Sequence, residues 1–261
     1  MTVALDHIVH FTPSVADSIH AFNQAGRHSR LGGNHHMWGT HNGLYYAGVS
    51  YIEFLGIKDM NTAMNSTNQL IRLLCHDTRS RWGLGTIALR TEDINSLRDT
   101  FIQRGIHVSD IIDAERMVES GTYIRWKMLF IDEQPSGSLP WPFFIQWEET
   151  DEQRSMRLSS QGIVTSSNEG IHISSVIFEV KNVKETILKW GNTFGMPASA
   201  FSSLDGRTPA AALHLNDVIL IFQENAQALW ERPAAVTFKD EQTDGCTELY
   251  VQGAKYYWEG T

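Results

Sequence analysis

Two short strings in this sequence carry ionisable side chains inside otherwise apolar runs: Asp6-His7-Ile8-Val9-His10 and Tyr51-Ile52-Glu53-Phe54-Leu55-Gly56-Ile57. Each reads as a strand. Alternation then puts Leu5, His7 and Val9 on one face of the first, and Tyr51, Glu53 and Leu55 on one face of the second. A carboxylate flanked by Ile52 and Phe54 is costly to bury alone, so a metal, a cation, a protonated imidazole or water must meet it. An imidazole and a carboxylate together can hold a divalent cation or exchange a proton with a ligand. A plain hydrogen-bonded His7–Glu53 pair would also satisfy both groups.

Other residues extend this set. In the segment Gly32–Asn42, the Gly32-Gly33 pair permits positive φ and close backbone approach. His35 or His36 can supply a further imidazole, and His35, Trp38 and Asn42 can line the mouth of a cleft. The alternative is a tight loop whose Trp38 plugs the core. Further along, Trp126 is a candidate cleft residue. Arg116 can grip a carboxylate or phosphate bidentately, or pair with Glu115 or Glu119 at the surface. His10 alternates away from His7, toward a helix, and His20 and His28 read as surface or packing residues. Pro140-Trp141-Pro142 forces an extended entry into Phe143–Trp147.

Three similar segments position these residues, starting at Leu5, Leu84 and His172. Each opens with an apolar strand and continues into an amphipathic helix ending near glycine. Val15, Ile19 and Phe22, then Ile94, Leu97 and Phe101, then Val183, Ile187 and Trp190 form the three apolar stripes. Further strand-like runs follow each helix: Arg27–Leu31, Gly39–Ala47 and Ser50–Ile57; Ile106–Val108, Tyr123–Ile131 and Phe143–Glu148; Ala198–Phe201, Ala210–Leu215 and Val218–Gln223. The chain is therefore α+β, built of repeated β-α-β-β-β modules. Two paired modules (1–58 and 82–149, joined by a helical linker over 59–81) form a cupped sheet. A polar linker covers 150–169. A third module-like unit spans 170–261, with a terminal hairpin at Ala235–Lys239 and Thr247–Gln252.

The chain has 261 residues and a formal net charge of −9, with no Lys/Arg cluster. Nucleic acid is disfavoured as a partner. No apolar run is long enough to span a bilayer, and the first residues lack the pattern of a secretion signal. The two cysteines, Cys75 and Cys246, suit a reducing cytoplasm, with Cys75 in the core.

The string LDHIVH, then GGNHHMWGTHNGL at Gly32–Leu44, then YIEFLGI resembles the bacterial glyoxalase-like domain family of the vicinal oxygen chelate superfamily. The likeness covers residues 3–148 well and the third unit weakly. It implies an enzyme acting on a small oxygenated metabolite. The expected chemistry is metal-assisted isomerisation or lyase chemistry of glyoxalase I type, through an enolate-like intermediate. A non-catalytic small-molecule binder or drug-sequestering protein of the same fold is the alternative. The resemblance also implies a divalent metal (Zn, Ni, Mn, Co or Fe) held by strands one and four of each of two modules, and a homodimer is common in the superfamily. His7 and Glu53 match in the first module. Matching the second module by sequence puts Thr86 opposite His7 and Gln146 opposite Glu53, so His7, Glu53 and Gln146 are the expected ligands and should converge in one cleft. A two-His, one-carboxylate triad is not in register, which disfavours extradiol dioxygenase chemistry. The third unit offers Ser175 and Leu220 at these places. It should serve as a packing partner, burying Val176, Phe178 and Ile221.

Overall fold

A computed structural model describes residues 3–117, 123–164, 168, 170–202 and 208–260. The first module runs β1 (Ala4–Phe11), α1 (Val15–Gln24), β2 (Ser29–His35), β3 (Thr40–Ala47) and β4 (Ser50–Ile57). The Ser14 side chain accepts from Asp17 N–H and starts α1, whose Val15 and Phe22 are buried. Strand β4 returns parallel to β1, with Val9 opposite Glu53. A connector of two helices follows, α2 (Met60–Met64) and α3 (Gln69–Asp77). The second module is β5 (Gly83–Arg90), α4 (Ile94–Gln103), β6 (Ile112–Met117), β7 (Tyr123–Leu129) and β8 (Phe143–Trp147). Of the run expected at Ile106–Val108, only Val108 bridges, to Ile131.

The two modules join through β1 and β5, which run antiparallel, giving one sheet in the order β2-β3-β4-β1-β5-β8-β7-β6. Helix α3 lies across the cleft face of this sheet. Its Leu70, Ile71 and Leu74 pack with Val9, Phe11, Leu55, Phe143 and Ile145, and its first turn is capped by the Asn68 side chain.

The segment expected as a polar linker contains α5 (Asp151–Ser160), begun by a Thr150–Gln153 capping box. The remaining elements are β9 (Ile171–Val180), α6 (Val183–Phe194), β10 (Ala198–Ser202), β11 (Pro209–Leu215), β12 (Val218–Glu224), β13 (Arg232–Asp240), β14 (Cys246–Val251) and β15 (Ala254–Glu259). They form a second sheet, β10-β11-β12-β9-β13-β15-β14.

The tail is not the expected hairpin. Strand β13 pairs antiparallel with β9 and parallel with β15, while β14 pairs with β15. These are the pairings of a fourth module whose helix has been replaced by a short turn, and β9/β13 repeats the β1/β5 seam. Leu220 also differs from expectation. It lies in the main core with Phe222, whereas the opposite face of β9 and β12 carries Ile177 and Ile221. Val176, Phe178 and Ile221 are buried, as anticipated for a packing unit.

The helix-bearing faces of both sheets close on one shared core containing Ile8, Phe22, Phe54, Phe101, Phe144, Phe178, Trp190, Phe222, Val236, Tyr256 and Trp258. Phe22 of α1 packs 4.9 Å from Tyr256 and 5.8 Å from Trp258. The first module's helix thus covers the strands of the helix-less fourth. Among the described residues no helix is long and apolar enough to cross a membrane.

His10 points into this core, where its Nδ1 shares a 2.6 Å hydrogen bond with the Tyr256 hydroxyl. Burial pushes its pKa from 6.5 down to about 3. The folded state therefore holds His10 neutral where the unfolded chain would protonate it, and stability falls as pH drops from about 6.5 toward 3. His10→Gln should remove this component. In urea titrations the difference in unfolding free energy between wild type and variant should change by up to about 1.4 kcal/mol per pH unit across that window. A pH-independent difference would show that His10 is not held neutral.

Candidate functional site

A β-bulge builds the base of the cleft. Opposite β5, Leu5 pairs with Leu89 and His7 with Ala88, so Asp6 is an extra residue in β1. The bulge breaks the expected alternation. Leu5 joins Ile8 in the main core, while Asp6 and His7 turn to the same side and meet at 2.6 Å, Asp6 Oδ1 to His7 Nδ1. The far oxygen of Asp6 accepts from Trp147 Nε1 at 2.8 Å and from Arg154 Nη1 at 3.1 Å. Arg154 reaches in from α5, donates to the Val49 carbonyl, and lies 4.4 Å over the Trp147 ring. Burial disfavours the Asp6 carboxylate, but Arg154 and the bond from His7 outweigh it and hold its pKa far below the usual range.

The His7 ring stacks on Tyr51 at 4.5 Å and meets the edge of Phe143 at 5.4 Å. Its Nε2 faces Glu53 Oε2 at 3.6 Å. Asn42 Nδ2 donates to the other oxygen of Glu53 at 2.6 Å, and Asn42 Oδ1 accepts from Gly33 N–H at 2.7 Å. The glycines serve close approach here rather than positive φ, since neither Gly32 nor Gly33 is left-handed. A Cβ on Gly32 would lie 2.1 Å from Asn42 Oδ1, and one on Gly33 would lie 3.0 Å from Arg116 Nη1. Tyr51 stays a phenol, its pKa raised by burial, then by Asp6 and Glu53.

These groups line a narrow cavity of about 60 Å³ together with His35, Trp38, Arg116, Trp126, Leu44, Met128 and Ile145. Strand β2 runs on to His35, and a single 3-10 turn carries His36 to Trp38, so the expected loop is shorter than the sequence suggested. His35 Nδ1 contacts Thr40 Oγ1 at 3.0 Å. Burial lowers its pKa, Glu53 raises it and Arg116 lowers it. His36 is exposed. Of the residues singled out from sequence, the fold brings together His7, Glu53, His35, Trp38, Asn42, Arg116 and Trp126.

Gln146 is not among them. It lies on the opposite face of β8, where its amide oxygen accepts from Ile94 N–H and its amide nitrogen donates to the Glu92 carbonyl. The matched letters were off by an odd number of residues, and one step along a strand changes face. The parallel register pairs Ala88 with Phe143, as Val9 pairs with Glu53, so Phe143 is the structural counterpart of Glu53. Thr86 donates to the Trp141 carbonyl at 3.3 Å. At the positions that match His7 and Glu53 the second module thus supplies no metal ligand.

A catalytic divalent site ordinarily takes three protein ligands. Here only one imidazole nitrogen and one carboxylate face each other, and among the described residues no three His, Cys, Asp or Glu side chains cluster as metal ligands. The three-ligand set His7, Glu53 and Gln146 does not form.

Asp6, Trp147, Arg154 and Phe143 are site residues that sequence reasoning passed over. Asp6 beside His7 was visible, but strand alternation assigned it to the other face. The Thr150–Gln153 capping spacing marks the helix that delivers Arg154.

The profile of the glyoxalase-like domain family matches residues 5–194, and the chain belongs to that family. Its sheets carry the β-α-β-β-β repeat of the vicinal oxygen chelate fold. Among solved structures, a hypothetical protein from Staphylococcus aureus has TM-score 0.84 at 24% identity, covering 99% of this chain and 100% of that one. Methylmalonyl-CoA epimerase from Mycobacterium tuberculosis has TM-score 0.39 at 14% identity, covering 56% of this chain and 88% of its own. A hypothetical protein from Bacillus halodurans has TM-score 0.37 at 16% identity, covering 57% of this chain and 96% of its own. No curated protein matches the sequence significantly.

The ion pair beneath His7 is testable by stability. Asp6→Asn leaves buried Arg154 with only the half-exposed Asp151 carboxylate at 3.7 Å and should cost about 3 kcal/mol in urea unfolding. Combining it with Arg154→Met should recover much of that loss, because the stranded charge is gone. A double variant no more stable than Asp6→Asn would show that the charge is not the source of the cost.

Proposed function

We propose that this protein is an enzyme that moves a proton on a small oxygenated metabolite, an isomerase or lyase working through an enolate-like intermediate, with His7 and Glu53 as its acid–base pair. One observation carries the reading: His7 Nε2 faces Glu53 Oε2 at 3.6 Å inside the narrow cleft. Asp6 Oδ1 accepts only, so the 2.6 Å contact assigns the Nδ1 proton to His7. Neutral Nε2 then presents a lone pair to a carboxylate oxygen. Two acceptors face each other, and a single mobile proton on either one resolves the conflict. A pair holding one exchangeable proton can take a proton from a carbon acid at one position and return one at another. Asn42 fixes the Glu53 carboxylate from the side and Asp6 fixes the imidazole from behind, so neither reacting group needs to reorganise.

The donor set does not support a metal-dependent step. The free thiols Cys75 and Cys246 support a cytoplasmic setting.

Exchange of substrate C–H for deuterium, followed by proton NMR in heavy water, tests the reading. Glu53→Gln and His7→Gln should each slow exchange by roughly 10²–10⁴-fold, the usual contribution of general acid–base catalysis. Glu53→Gln should fold nearly as stably as wild type, since its amide oxygen can still accept from Asn42. Chelator treatment and added divalent metal should leave both the melt and the exchange rate unchanged. A ligand that binds tightly with no exchange in wild type would make the protein a binder, and exchange restored only by metal would overturn the metal-free mechanism.

A further inference from the structure

We infer that the ligand of this cleft is a small monocarboxylate, gripped by Arg116 while its neighbouring acidic carbon meets the His7–Glu53 pair. The inference rests on the proton-transfer reading for the second clause only.

Alternation along β6 separates Arg116 from its neighbour. Glu115 is exposed and pairs with Arg125 at 3.0 Å, which leaves Arg116 on the cleft face. There the guanidinium lies against the Gly33 backbone, close enough that a Cβ on Gly33 would sit 3.0 Å from Nη1 and 3.2 Å from Cδ. Arg116 is half-buried, and among the described residues no carboxylate lies within ion-pair distance of it. The cavity wall carries Leu44, Trp126, Met128 and Ile145 beside the uncharged polar side chains of Asn42 and Tyr46. A half-buried guanidinium on the cleft face can pair with an anion that enters the cavity.

The anion's chemistry follows from the space and the charge. Arg116, His7 and Glu53 border one cavity of about 60 Å³, so they are spanned by a molecule of a few heavy atoms. Arg116 meets Gly33 through its Cδ and Nη1 edge, and the N–H pairs of a guanidinium match the two oxygens of a carboxylate. A monoanion balances Arg116, whereas a phosphate dianion would add a second negative charge beside Glu53. In a short 2-oxo acid the ketone beside the carboxylate makes the next C–H acidic enough for a His–Glu pair to exchange through an enolate. In that exchange the C–H proton passes to the pair and a proton returns from it, with no net change in the ligand. The fitting class is the short 2-oxo acids, with 2-hydroxy acids as binding analogues that do not exchange.

Thermal melts with pyruvate, 2-oxobutyrate and lactate, each beside its methyl ester, and with inorganic phosphate, provide the test. The free acids should raise the wild-type melting temperature at millimolar concentration and the esters should not. Arg116→Met should weaken acid binding roughly tenfold or more, and Arg116→Lys should fall between, having charge without the fork. If Arg116→Met melts low without ligand, Gly33→Ala replaces it. Its Cβ displaces the guanidinium and should weaken the acids specifically. Esters binding as well as acids, phosphate alone raising the melt, or full acid affinity in both variants would overturn the proposal. Glu53→Gln separates the two readings. Acids that bind through Arg116 yet show no deuterium exchange in wild type would sink proton transfer and leave the ligand class standing. Exchange of the neutral esters without acid binding would do the reverse.

Discussion

One extra residue in β1 decides what this cleft is. A regular strand would send Asp6 and His7 to opposite faces. The bulge at Asp6 turns both to one side, and Gly85 absorbs the mismatch on the partner strand further along the seam. A Cβ on Gly85 would lie 2.2 Å from the Phe11 ring, so the compensating site admits little but glycine. With the bulge in place, the imidazole is oriented by its own sequence neighbour, and the next partners, Trp147 and Arg154, come from distant parts of the chain. The order of dependence runs from bulge to Asp6, to the His7 tautomer, to the Glu53 contact.

The second consequence is asymmetry. The first module supplies Asp6, His7, Asn42 and Glu53 at the base of the cleft, while the second contributes Phe143, Ile145, Trp126 and the Trp147 indole that donates to Asp6. Helix α3 then fills much of the remaining space with Leu70 and Ile71. A cup with ligands on both rims suits a centrally bound ion. A cup with one polar rim and a tight apolar wall suits a small organic molecule held edge-on. Arg116, on the edge strand β6, adds a guanidinium to the same cleft.

Much of this was readable in the sequence where residue spacing alone determines the outcome. The helical stripes, most strand segments and the common cleft face of His7 and Glu53 follow from period, and the Gly32–Asn42 loop was readable as a cleft mouth or a core plug. What was hidden depended on single-residue offsets or on absent signals. Gln146 looked equivalent to Glu53 because FIQW resembles YIEF, yet strand parity depends on the count of residues and the likeness of letters carries no count. A bulge inserts one residue without any marker in composition. The fourth module was disguised because its helix, the strongest signal of the repeat, is missing, leaving three strands that read as a tail. Arg154 lay in a polar segment whose mean composition concealed a capped helix with one buried face.

The missing helix also explains how the distant half of the chain bears on the site. Without a helix of its own, the sheet of β13 to β15 rests on α1 and β1, so Tyr256 meets His10 and Trp258 stacks under Arg27, 4.5 Å from its guanidinium carbon. Arg27 pairs with Asp240 at 2.6 Å, and buried Asp77 takes two 2.8 Å bonds from Arg232. Strand β1 is therefore fixed on both faces, by Asp6 and His7 toward the cleft and by Ile8 and His10 toward the shared core. A one-residue bulge is a weak local feature, easily slipped in an isolated sheet. Held between two packed faces, its register cannot shift without exposing one apolar set or stranding a buried charge. The second sheet, which lends no residue to the cleft, is in this sense what keeps His7 aimed at Glu53.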